Sequence, residues 1–204
     1  MNSEFLDSDQ KDALQEISNI AMGTAAAGLA TVLESFVRLS VPRISLVETS
    51  RITEGLSASL PLHPEVSAVR QAFYGEVEGE VVVVFGEEGC DELADALKHE
   101  NDGREAVKQE LLLDVSNILV GACMNGIARQ LGSKISFSPP EILCTAVPLE
   151  RVFFGHKPTC EQVLLIQIDF SLEASSFACH VLTFLAPASF EVLRGSLSRF
   201  LESL

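Results

Sequence analysis

The chain has 204 residues, 47% of them hydrophobic and 21% charged, which is enough apolar material for a packed core and argues against disorder. Its formal net charge of −15 repels phosphate backbones and anionic lipid, so neither nucleic acid nor a membrane surface is an expected partner. The opening MNSEFLDSDQ is polar and acidic, unlike a signal peptide, and no apolar run reaches the roughly 18 residues a membrane span needs. A cytoplasmic chain with no membrane insertion is expected. Cys90, Cys123, Cys144, Cys160 and Cys179 are odd in number and scattered, and they read as reduced, buried thiols.

The first predicted element is a long helix, DALQEISNIAMGTAAAGLATVL, beginning at Asp12. A proline-marked break follows, then strand-like segments Val41–Glu48, Val69–Gly75 and Glu80–Phe85, the last two joined by a Glu-Gly turn that predicts a hairpin. A short helix, CDELADALKHE, closes this stretch, and polar Asn101–Gly103 marks a join. A second long helix, ELLLDVSNILVGACMNGIARQL, begins at Glu110. It is followed by predicted strands Glu141–Val147, Val163–Leu172 and Ser176–Leu185 and a closing helix in APASFEVLRGSLSRFLESL.

The chain therefore repeats itself. Shifted by 98 positions, Leu14 meets Leu112, Ser18 meets Ser116, Asn19 meets Asn117, Gly23 meets Gly121, Gly28 meets Gly126 and Pro42 meets Pro140. An SNI triplet, glycines and a proline in one ungapped register are hard to obtain by chance. The predicted fold is α+β, a pseudo-twofold αβββα repeat forming one largely antiparallel sheet, with two long helices covering one face. A single domain spanning 1–204 is expected, made of repeats at about 1–101 and 104–204. Strand order is not legible.

On a helical wheel Asp12, Glu16, Asn19 and Gly23 form one stripe. Leu14, Ile17, Ala21, Ala25, Gly28 and Val32 form the opposite, apolar face. The outer stripe continues through Ala26, Ala27 and Ala30, where exposed helices ordinarily carry long polar side chains. Such a strip would let another protein approach the backbone closely; the alternative is that its small residues seat the two long helices against each other. The second helix repeats the stripe as Glu110, Asp114, Asn117 and Gly121. There Glu16 has become the shorter Asp114, and Ala26 and Ala27 have become the bulkier Met124 and Asn125. Glu followed three residues later by Asn is ordinary surface by itself; recurrence together with its glycine gives it weight.

The pattern D-x3-E-x2-N-x3-G, carried by Asp12, Glu16, Asn19 and Gly23 and repeated in Glu110, Asp114, Asn117 and Gly121, resembles the signature of the CheC/CheX/FliY chemotaxis phosphatases. Two copies, their separation and the chain length resemble CheC in particular; CheX-like proteins carry one site, and FliY-like proteins add a switch domain for which 204 residues leave no room. The resemblance implies hydrolysis of the aspartyl phosphate on a phosphorylated CheY-like receiver domain. Asn19 and Asn117 would orient the attacking water, and Glu16 and Asp114 would pair with the receiver's lysine. Asp12, Gly23, Ala26, Ala27, Glu110 and Gly121 would support docking. The receiver would bring the aspartate, the lysine and Mg²⁺, so the chain would need no metal or other cofactor of its own. The deamidase CheD is a further partner that the resemblance implies. A binding module that docks a receiver or CheD without turnover is the alternative.

Other chemistries lack their motifs. His63, His99, His156 and His180 are scattered without ligand spacing, and HExxH, GxxxxGK[ST], GxGxxG before a helix, and GxSxG do not occur. A small-molecule enzyme would need convergent polar groups that the sequence does not offer.

Overall fold

A computed structural model describes residues 5–48, 65–97, 104–153, 162–173, 175–185 and 187–203. The join at Asn101–Gly103, and with it His63, His99, His156 and Cys160, lies outside the described residues.

Helix α1 spans Ser8–Val32. It starts where Asp7 and Gln10 cap each other: the Asp7 carboxylate accepts from the Gln10 backbone N–H at 2.8 Å, and the Gln10 side chain accepts from the Asp7 N–H at 3.3 Å. Gln10 also donates to Ser198 Oγ at 3.0 Å, tying this end to the last helix. Short strands β1 (Val37–Leu39) and β2 (Arg43–Glu48) follow, then the hairpin β3 (Val66–Gly75) and β4 (Gly79–Gly86). Helix α2 (Glu87–Leu97) precedes the second long helix, α3 (Arg104–Gln130). The order then recurs: β5 (Ile135–Phe137), β6 (Glu141–Val147), the one-turn α4 (Leu149–Val152), β7 (Gln162–Leu172), β8 (Ala178–Leu185) and α5 (Phe190–Glu202).

Among the described residues each half thus carries four strands, one more than the αβββα expectation. The added strands, β1 and β5, are three residues long, too short for an alternating pattern to announce. All eight strands belong to one antiparallel sheet in the order β1-β7-β8-β4-β3-β5, with β2 also on β7 and β6 also on β3. The halves meet at the centre, where β4 pairs with β8 through Val82↔Leu182 and Val83↔Val181. They also exchange edges: β1 and β2 border the second half's hairpin, while β5 and β6 border the first half's. Gly79 permits the central approach, since a Cβ there would lie 2.3 Å from the Phe184 carbonyl oxygen.

One face of the sheet carries α1 and α3 over a core that includes Leu14, Ile17, Phe73, Leu112, Leu119, Ile166 and Phe170. The other face is also apolar, with Val82, Val84, Leu165, Leu182 and Phe184 clustered with Val152 of α4. Burial on both faces explains the unbroken valine run of β4, in which Val81, Val82, Val83, Val84 and Phe85 are all buried. Buried Lys108 of α3 ties the helix layer to α2 through ion pairs with Glu87 and Asp91, and Glu87 also accepts from Ser67 Oγ of β3 at 2.6 Å. Cys90, Cys123, Cys144 and Cys179 are free; burial pushes the Cys90 and Cys123 thiols up to about 12, which leaves them inert.

Two expectations are corrected. Residues 105–130 are long and apolar enough, by length and composition, to cross a membrane, although more than half of the most apolar stretch is buried inside the protein. Val32, assigned to the apolar face, is 53% exposed because α1 ends there, beyond its packing partners. Phe36, Leu39, Val41 and Leu46, in and beside β1 and β2, are exposed apolar residues.

Candidate functional site on the paired long helices

Helices α1 and α3 pack against each other and run antiparallel, as two contacts show. Gly28 faces Ile118, and Gly126 lies so close to Ala21 that a Cβ on it would come within 2.6 Å of the Ala21 Cβ. Small residues therefore do seat the helices, but at Gly28 and Gly126. Gly23 and Gly121 have open space: a Cβ added to either meets nothing within 4 Å. The sequence left these roles undivided, because both pairs recur in the same register and only the packing separates them.

The predicted stripes lie on the surface. Asp12, Glu16, Asn19 and Gly23 are exposed on α1; Glu110, Asp114 and Asn117 are exposed on α3, with Gly121 half-buried. Between them Ile17, Ser18, Val115 and Ser116 are buried, so each acid–Asn pair stands on a packed helix rather than a loop. Among the described residues, no hydrogen bond or ion pair engages the side chains of Glu16, Asn19 or Asp114. They are free to meet a partner.

The small-residue strip needs correction. Ala27 is exposed and Ala30 half-buried, but Ala26 is 8% exposed and belongs to the core. An ideal wheel places Ala26 beside Asn19; the buried arc of α1 is wider than half the helix, since it packs on the sheet, α3 and α5 together. Its counterpart Met124 is buried as well, with its sulfur 3.8 Å from Thr183 Oγ1, so it does not crowd the second stripe. Asn125 is exposed, as expected.

Two residues escaped the sequence reading. Ile20, beside Asn19, is 49% exposed and adds an apolar contact to the first stripe. Gln71 of β3 lies beneath the second stripe, 3% exposed, with Nε2 at 3.5 Å from Asn117 Oδ1. The available signal was a glutamine between the core residues Val69 and Phe73 on one face of the strand VSAVRQAFYG. No group of three or more His, Cys, Asp or Glu side chains suited to a metal ion occurs among the described residues.

The architecture is an antiparallel α+β sheet with paired long helices bearing duplicated acid–Asn–Gly stripes. A family model described as the CheC-like family matches residues 10–46, which contain the first stripe. The flagellar motor switch phosphatase FliY of Bacillus subtilis is 23% identical over 188 residues, covering 89% of this chain; the chain spans about half (47%) of that relative's length. The crystal structure of Thermotoga maritima FliY superposes with a TM-score of 0.71 at 19% identity, covering 96% of this chain and 98% of that one. The FliM middle domain of H. pylori shares the fold at a TM-score of 0.58 and 12% identity, covering 94% and 99% of the two chains. Over residues 10–46 the chain is similar to the CheC-like family, and its fold is shared with FliY and with the FliM middle domain.

Proposed function

We propose that this chain is a phosphatase that removes the phosphoryl group from the aspartyl phosphate of a CheY-like receiver domain in the cytoplasm. The observation that carries the reading is the duplicated acid–Asn pair, exposed on two packed helices beside glycines that leave the surface open. An acyl phosphate is already reactive, so the catalyst need only place one water in line with phosphorus. The amide of Asn19 can do this by accepting a hydrogen bond from the water through Oδ1 while Nδ2 donates to an oxygen nearby. Glu16, one helical turn away, pairs with the receiver's lysine and fixes the approach. Asp12, Gly23 and Ala27 border the contact, and Ile20 adds apolar area. Asp114 and Asn117 repeat the arrangement, flanked by Glu110 and Gly121. In this reading Mg²⁺ comes with the receiver, and the chain's own residues bind, orient and exclude.

The likeness to FliM favours one second reading, since a middle domain of the flagellar switch has the same fold. In that reading the chain docks a receiver, or CheD, without turnover. The deciding experiment follows loss of radiolabel from a phospho-receiver of the same genome, with wild type and with Asn19→Ala/Asn117→Ala. Acceleration by wild type and not by the double variant supports catalysis. Binding of the phosphorylated receiver without acceleration moves the function to the docking module, and acceleration by both proteins overturns the water-positioning role.

A further inference from the structure

The two stripes differ in what lies under their asparagines. Gln71 Nε2 donates to the Ser138 carbonyl oxygen at 2.8 Å and to Asn117 Oδ1 at 3.5 Å. Ser138 is itself fixed on β3: its N–H donates to the Ala72 carbonyl at 2.9 Å, and its Oγ accepts from the Ala72 N–H at 3.0 Å. A carbonyl only accepts, so Ser138 dictates which end of the Gln71 amide faces it. The Gln71 NH₂ in turn dictates that Asn117 turns its oxygen inward and its NH₂ outward.

The first stripe has no such relay. Gln71 pairs with Val81 and Phe170 pairs with Cys179, and Val81 and Cys179 correspond in the 98-residue register. Phe170 therefore occupies the place of Gln71 in the other half, 1% exposed and with nothing to donate. Among the described residues the Asn19 side chain has no hydrogen bond. Gln71 is also costly for the core, because its buried Oε1 has no partner among the described residues. An apolar residue like Phe170 would remove that cost, so packing alone does not account for the glutamine.

We infer that Gln71 is a positioning residue that sets the amide orientation of Asn117 and thereby makes the two sites unequal. With its oxygen drawn inward, Asn117 presents a donor to the partner and is poorer at orienting the water by accepting a hydrogen bond from it. Asn19, free to turn, is the faster site. The inference rests on the phosphatase reading for its kinetic consequence and on the Gln71 contact for its structural one.

The test has two arms. In ¹⁵N-labelled wild type, the Asn117 side-chain amide should be more restricted than that of Asn19 and should show cross-relaxation with the Gln71 amide protons. Equal mobility of the two asparagines overturns the inference without any variant. In the Asn19→Ala background, Gln71→Leu should raise kcat for phospho-receiver about threefold with KM unchanged, a split that a purely structural loss would not produce. An unchanged or lowered kcat in a variant that melts cooperatively overturns it. If Gln71→Leu does not fold, Gln71→Met carries the kinetic arm. Wild type inactive on every receiver would remove the phosphatase reading, while the amide measurement would still decide the Gln71 contact.

Discussion

The two long helices carry the same stripe in different settings. On α1 the acid is Glu16, Asn19 has no hydrogen-bonding partner among the described residues, and Ile20 lies exposed beside it. On α3 the acid is the shorter Asp114, Asn117 touches Gln71 from below, and Ile118 is half-buried near Gly28. Duplication preserved the face and let its supports diverge. The sheet behaves differently: β4 and β8 pair at its centre, and the edges are exchanged between halves, so neither half pairs all its strands alone. Each half's strands constrain the other's, whereas each exposed stripe is free to specialise.

The largest expected difference between the halves is in turnover. Asn19→Ala should slow loss of the receiver's phosphoryl group about tenfold or more, roughly 1.4 kcal/mol on the barrier, and Asn117→Ala by less. Receiver binding should survive both, as measured by titration with a phosphoryl-mimic receiver. Equal losses would erase the proposed inequality while leaving the mechanism intact.

The helix contact should be unequal too, by a smaller amount. Gly126→Ala should destabilise by about 1–2 kcal/mol in urea unfolding, because the added Cβ collides with Ala21 and overpacking outweighs the gain in helix propensity. Gly28→Ala, whose Cβ would meet the tip of Ile118 at 3.4 Å, should fall within about 0.5 kcal/mol of wild type. Comparable losses would mean that the helices cross closest elsewhere.

The open glycines should reverse that sign. Gly23→Ala and Gly121→Ala should each stabilise by up to about 1 kcal/mol, since both sit in helices with free space. Gly23→Ala should weaken receiver docking even as the melting temperature rises; unaffected docking would place the contact away from this strip. Smallest are the serines of the repeated SNI triplet. Ser18 and Ser116 are fully buried and their hydroxyls have no partner among the described residues, so Ser18→Ala and Ser116→Ala should be neutral or stabilising by about 1 kcal/mol. A loss at either would reveal a bond made during motion.

Much of this was legible in the residues themselves. The repeat is a property of the chain, and helical and strand periodicities follow from backbone geometry, so the long helices, the two hairpins and the exposed acid–Asn stripes could be placed by counting. Strand Glu141–Val147 was placed at its observed bounds. Counting fails where a feature has no period of its own. Strands β1 and β5 exist because edges of β7 and β3 had unpaired backbone groups to satisfy, and three residues carry no alternation. The separation of Gly28 and Gly126 from Gly23 and Gly121, the burial of Ala26 and Met124, and the reach of Gln71 to Asn117 depend on what lies opposite each side chain. A sequence orders residues along one line and fixes the face on which each lies; which partner covers that face is decided only when distant segments close against one another.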